Sequence, residues 1–227
     1  AQELLAANAV AQRYVFSLDP SNLHERVGLA FSLSQLGAVK LMLEDPAGAE
    51  PVVREGIALL EAVAENPEGD RIRALLYGKL ADAVPSAASE EYLKICLELC
   101  NRLTASDTSD MDLAIIKGIC HFELGRMRDL EGNDPEASAL FSKAIAVGRS
   151  LFRSPKISIP GLLNLQIQLE WMADFEYRQG NWEQARILSL ENLDCIGEIQ
   201  RGGIDPIQCA FLRADAYCEL GNAEREQ

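Results

Sequence analysis

Apolar residues recur every three or four positions along this chain, in runs separated by short polar breaks rich in Pro, Gly, Asn and Asp. That spacing predicts amphipathic helices throughout. The first run, 1–18, takes its apolar positions from Leu4, Leu5, Val10, Tyr14, Val15 and Leu18. Asp19-Pro20-Ser21-Asn22 ends it, because proline cannot continue a helix and disfavours helical geometry just before itself. Further helices are predicted at about 23–44 and 49–65, separated by a turn at Asp45-Pro46-Ala47-Gly48. After a stop at Asn66-Pro67-Glu68-Gly69 come 70–84 and 87–103, broken near Pro85-Ser86. The polar stretch 104–110 links these to 110–131, with Ser109 or Asp110 as the expected N-cap. A tight turn at Gly132-Asn133-Asp134-Pro135 leads into 135–153, and a two-proline connection, 154–160, into 161–179. Gly180-Asn181-Trp182 turns the chain into 183–201, and a last helix starts at Asp205-Pro206.

The breaks keep a register. Gly37 to Gly125, Ala49 to Ala137 and Pro67 to Pro155 are each 88 residues, while Gly125 to Ala173 and Ala173 to Gly221 are each 48. Ser89, Ala137 and Ala185 are also 48 apart. Internal repetition of this length marks a stack of helix pairs, each too small to bury its apolar face alone. Small residues recur at fixed slots because two helices cross closely there and a larger side chain would separate them.

Within each pair a Leu-Gly step falls in the first helix (A) and a small-x3-large-x2-small pattern in the second (B). Leu36-Gly37, Leu124-Gly125 and Leu220-Gly221 carry the former, with Tyr77-Gly78 and Met172-Ala173 as weaker versions. Ala137, Phe141 and Ala144 carry the latter in full. Ala49/Val53/Gly56 and Ser89/Leu93/Cys96 match by size, and Ala185/Ser189/Asn192 departs at its last two positions. On these residues the chain resembles the tetratricopeptide repeat (TPR) family. The resemblance implies an all-α fold, a right-handed superhelix of antiparallel helix pairs (an α-solenoid) with nine to ten helices. One array would fill 1–227: a helix B of a preceding unit at 1–18, units at about 23–66, 70–106, 110–154 and 160–203, and the start of another at 206–227. The units are longer than the family's 34 residues, as if each helix gained about two turns. Long repeats of this kind resemble the arrays attached to bacterial serine/threonine protein kinases, most of all at residues 124–132.

Composition narrows the function. Asp and Glu number 35 against 21 Lys and Arg, a net charge of −14, which argues against nucleic acid, whose readers need a basic footprint. No apolar run reaches the ~18 residues a membrane span requires, and no leader-like segment opens the chain. The expectation is a cytoplasmic fragment of a larger protein.

Candidate chemistry is sparse. Cys96 and Cys100 share one helix face, and Cys120-His121 lies on the next helix, which raises a zinc site. Against that, Cys96 occupies the slot of Gly56 and Ala144, and Cys100 that of Gly148; these are small buried seats that a free thiol fills well. His24 and His121 have no nucleophile partner in a recognisable motif, and a solvated or capping role is expected for each. No GxGxxG or GxxxxGK[ST] phosphate cradle occurs, and 131–134 lacks the alternating ligands of a calcium loop. Catalysis, cofactors and metals are therefore not expected in this chain.

Function is expected on the concave face that helices A would line. Helical phase puts Lys79 and Asp82 there in one unit, Phe122, Arg126 and Asp129 in the next, and Glu170, Asp174, Tyr177 and Arg178 in the one after. The resemblance implies that a C-terminal carboxylate would be held by a clamp of Lys, Asn and Arg as in some family members; only Lys79 and Arg126 lie near the right faces, with no matching Asn, so capture of an acidic C-terminal tail is not expected. The acidic end around Glu170 and Asp174 suits a protein or peptide segment carrying Lys or Arg. Two alternatives stand beside this scaffold reading. One is a regulatory or substrate-recruiting region of a bacterial serine/threonine kinase. The other is a peptide or small-ligand sensor with a pocket lined by Trp171, Tyr177 and Phe122.

Overall fold

Several helix starts in this protein are capped by side-chain acceptors, although Asn133 and Asn181 before the seventh and ninth helices make no such bond. Asn22 Oδ1 accepts from the backbone N–H groups of His24 (3.0 Å) and Glu25 (3.3 Å). Asp45 Oδ1 accepts from Gly48 (2.8 Å), Asn66 Oδ1 from Gly69 (2.8 Å), Asp110 Oδ1 from Leu113 (3.0 Å) and Ser158 Oγ from Gly161 (3.3 Å). Each satisfies one of the N–H groups that a helix leaves open at its start. Asp110 is thus the cap of its helix; Ser109 lies outside the described residues.

The computed structural model describes residues 2–61, 63, 66–106, 110–153 and 158–225 of the 227. Within them lie ten helices: α1 (Gln2–Leu18), α2 (Leu23–Met42), α3 (Pro46–Glu61), α4 (Pro67–Ala83), α5 (Ser86–Ser106), α6 (Met111–Leu130), α7 (Asp134–Phe152), α8 (Ile159–Arg178), α9 (Trp182–Arg201) and α10 (Pro206–Arg225). The fold is all-α. Several boundaries differ from expectation by a few residues, and three of the shifts take a proline into a helix, Pro160 at the start of α8 being one. Pro46 and Pro67 belong to the first turns of α3 and α4 rather than to the breaks before them. Proline suits a first helical position, where its missing N–H costs nothing and its fixed φ is already helical.

The chain divides into two compact units, Ala1–Cys120 and His121–Gln227. In the first, α1 packs on α2, α2 on α3, α3 on α4 and α4 on α5, and α2 also touches α4. In the second, α7 packs on α8, α8 on α9 and α9 on α10, and α8 also touches α10. Neighbour-on-neighbour packing with contact between alternate helices is the pattern of an α-solenoid.

Small residues sit where the register puts them. A Cβ on Gly37 would lie 2.6 Å from Val53 Cγ2, and one on Gly125 2.8 Å from Phe141 Cδ1. Ala49, Ala137 and Ala144 are fully buried. The first unit closes over aliphatic side chains, among them Val53, Leu60, Ile72, Leu76 and Leu80. The second closes over Phe122, Phe141 and Phe175 with Leu165, Leu169 and Ile196. The buried thiols of Cys96, Cys100 and Cys195 are raised above their usual range. In Cys195 burial is the first cause and brings the thiol to about 12; in Cys100 contact with Cys96 acts ahead of burial. Cys96 donates to the carbonyl of Ala74 (3.1 Å). Cys96 and Cys100 are fully buried, as the small-seat reading anticipates. His121 departs from expectation: it is buried at 8% exposure in α6 rather than solvated.

Candidate functional site

Helices α6 and α8 carry the sequence-predicted residues of the second unit, and several of their side chains meet. Arg178 reaches Asp129 with both terminal nitrogens (2.8 and 3.1 Å) and Asp174, one turn back, with Nε (2.9 Å). The Asp129 contact is the larger cause of the raised Arg178 pKa. Arg126 is held by Glu123 (3.1 Å), and its guanidinium lies 4.4 Å from the centre of the Trp171 ring. Phe122 meets Trp171 edge-on at 6.1 Å and Phe141 at 5.8 Å, so it belongs to the core and is only 5% exposed. Tyr177 is half-buried on α8.

Not all of the acid on this face is neutralised. Glu170, Trp171 and Asp174 of α8 line a pocket of about 250 Å³ with Glu219 of α10. Gln166 donates to Glu170 (2.7 Å). Glu219 Oε2 is buried and has no hydrogen-bond partner among the described residues. Burial, aided by the negative charges of Glu170, Asp174 and Asp215, pushes the Glu219 carboxyl up to about 8. A carboxyl so placed is mostly protonated at neutral pH and ionises when a cation arrives. Sequence reasoning missed Glu219. The register held the clue, since Glu219 follows Trp171 by one 48-residue period.

Lys79 and Asp82 sit on α4, in the first unit. Lys79 is half-buried and Asp82 exposed. Both line a pocket of about 290 Å³ whose remaining walls are Ala38, Leu41 and Met42 of α2, Leu75 and Gly78 of α4, Leu93 of α5, and Ile116, Ile119 and Cys120 of α6. Its aliphatic walls escaped the charge-based reading, because apolar residues on a helix A are indistinguishable in sequence from core.

Among the described residues no group of three or more His, Cys, Asp or Glu side chains is placed to hold a metal ion. No helix there is long and apolar enough to cross a membrane.

These features define a helical-repeat protein whose A helices carry two differently furnished pockets. No family model matches the chain, and no curated protein matches it. Its fold is similar to the crystal structure of BtubC (BKLC) from P. vanneervenii, with a TM-score of 0.61 over 99% of this chain and 89% of that one, at 14% sequence identity. At that identity the likeness establishes the shared fold alone.

Proposed function

We propose that this chain is a non-catalytic scaffold of TPR type that binds a protein or peptide segment rich in Lys or Arg through the α8–α10 face of its second unit. The observation that carries the reading is Glu219. One of its carboxyl oxygens is buried without a hydrogen-bond partner among the described residues, at a pocket shared with Glu170 and Asp174. A guanidinium or ammonium entering there would offset part of the negative charge of Glu170 and Asp174 and favour ionisation of Glu219. The neighbouring Trp171 ring already carries the Arg126 guanidinium, so the same face accepts a planar cation. The net charge of −14 favours a basic protein partner over nucleic acid. The resemblance of residues 124–132 to kinase-attached arrays makes substrate recruitment to a bacterial serine/threonine kinase the setting of this proposal.

The test is fluorescence anisotropy with a labelled amphipathic peptide bearing Lys and Arg, at pH 7 and pH 9. The Glu170→Lys/Asp174→Lys variant should weaken binding by about tenfold or more, equal to about 1.4 kcal/mol. Affinity should rise with pH, because the bound state favours ionised Glu219 and binding releases its proton. Equal binding by the reversed variant, or by an acidic peptide of the same length, would refute the site.

A further inference from the structure

The pocket of the first unit differs from the acidic face in every property that selects a ligand. Ala38, Leu41, Met42, Leu75, Leu93, Ile116 and Ile119 make its walls aliphatic, and no aromatic ring lines it. A single cation, Lys79, stands in that wall. Among the described residues no hydrogen bond or ion pair engages its ammonium, and the opposing charge acting on it is Asp82, one turn along α4. Ligand pockets that combine apolar walls with one convergent polar group fix a ligand's orientation by that group.

We propose that this pocket binds an aliphatic monocarboxylic acid of medium chain length, with its carboxylate on Lys79 and its hydrocarbon tail against α2 and α6. The argument for each part is separate. A volume of about 290 Å³ lies just below the usual range for small-molecule sites, roughly 300–1,000 Å³, which limits the ligand to about ten non-hydrogen atoms. Walls of Leu, Ile, Met and Ala take a flexible alkyl chain, and burying it supplies the driving force. One lysine matches one negative charge. A dianion such as a phosphate monoester would bring a second negative charge beside Asp82 with no cation left to meet it. Burial also lowers the basicity of Lys79, with Asp82 and Cys96 opposing that shift, so an anion in the pocket would stabilise the ammonium. The inference rests on the first unit alone and does not depend on the basic-segment reading of the second.

The experiment is isothermal titration of the full chain at pH 7 with octanoate, octylamine and the free tripeptide Gly-Ser-Leu. Octanoate and the tripeptide both present a carboxylate next to an apolar group, and octylamine keeps the alkyl chain with the opposite charge. Octanoate should bind saturably with one site, and neither of the others should compete with it. Lys79→Met should weaken octanoate at least tenfold. This variant removes a desolvated charge and keeps an apolar stem of similar length, so it should fold. Ala38→Leu, which fills the pocket from α2 with a good helix former, should abolish binding; circular dichroism and a thermal melt check both variants. The proposal fails if octylamine binds as well as octanoate, or if folded Lys79→Met keeps its affinity. It also fails if the tripeptide binds and octanoate does not, or if no saturable binding occurs up to about 10 mM, beyond the millimolar affinities of the weakest specific sites.

Discussion

The two units use one frame and furnish it differently. In the first, Arg13 of α1 makes a two-bond ion pair with Glu55 of α3 (2.7 and 2.6 Å); in the second, Arg149 of α7 does the same with Glu191 of α9 (2.7 and 2.5 Å). Each pair joins successive B helices 42 residues apart in sequence. The A-to-B turns agree as well. Asp45, Asn133 and Asn181 each send a backbone N–H back five residues, to the carbonyls of Lys40, Arg128 and Glu176. The positive-φ residue before each is Glu44 in the first unit but Gly132 and Gly180 in the second. The cores diverge further, aliphatic around Val53 and aromatic around Phe141, two residues in one repeat slot. The exposed faces of the A helices diverge most: one holds a lone lysine among aliphatic groups, the other a ring, two arginines and a set of carboxylates. Backbone spacing constrains the crossing slots, whereas the A face answers only to what it meets, so the slots repeat and the face does not.

The largest test of that contrast concerns the Leu-Gly slot. Gly125→Leu would drive a side chain into Phe141 and should cost about 3 kcal/mol, read from a denaturant melt. Gly221 occupies the same slot in α10, where an added Cβ meets nothing within 4 Å among the described residues. Gly221→Ala should therefore stabilise, by at most about 1 kcal/mol, through helix propensity. If Gly125→Leu were tolerated, the close α6–α7 crossing would not exist.

A middle-sized effect separates the units by pH. The Glu219 carboxyl is raised from an ordinary value of 4.5 to about 8, so the folded chain holds a proton that the unfolded chain releases. Its contribution is fully present below the unfolded value, is lost as pH rises through that window, and is gone above about 8. Glu219→Gln should flatten this slope and raise stability at pH 9 by about 1–2 kcal/mol, after allowing for solvent access to the side chain. Thermal melts from pH 5 to pH 9 measure it. An unchanged slope would mean that Glu219 is solvated.

The smallest effect lies in the turns. Glu44 has φ +56°, a left-handed conformation that favours glycine, and Gly132 has φ +74° in the matching turn. Glu44→Gly should stabilise by about 0.5–1 kcal/mol and Gly132→Glu should destabilise by a similar amount, both visible as shifts in a denaturant midpoint. The same sign for both changes would show that the two turns are not equivalent.

Much of this was legible in sequence. The ten helices, the Gly132 and Gly180 turns and the small-residue slots follow from apolar periodicity and from proline and glycine placement. These are local rules, which act through backbone geometry within a few residues. The helix starts at Pro46 and Pro67 were read as breaks because proline marks both a stop and a first turn; the Asp45 and Asn66 caps decide between them. The candidate face was legible only as a phase. Asp129, Asp174 and Arg178 came out together because they lie on neighbouring A helices, and there they largely neutralise one another. Phe122 was placed on that face and is instead core, since an aromatic on a helix A can turn either way.

The residues by themselves determined an all-helical repeat with small side chains at its crossings, because helix formation and close approach depend on neighbours a turn away or on a repeated slot. Tertiary structure alone decided which charges meet from different helices. Glu219 comes beside Glu170 only because α10 packs on α8, and Lys79 gains an aliphatic pocket only because α2, α5 and α6 contribute its walls. Desolvation and charge coupling are set by distance through space, and no spacing along one helix encodes them.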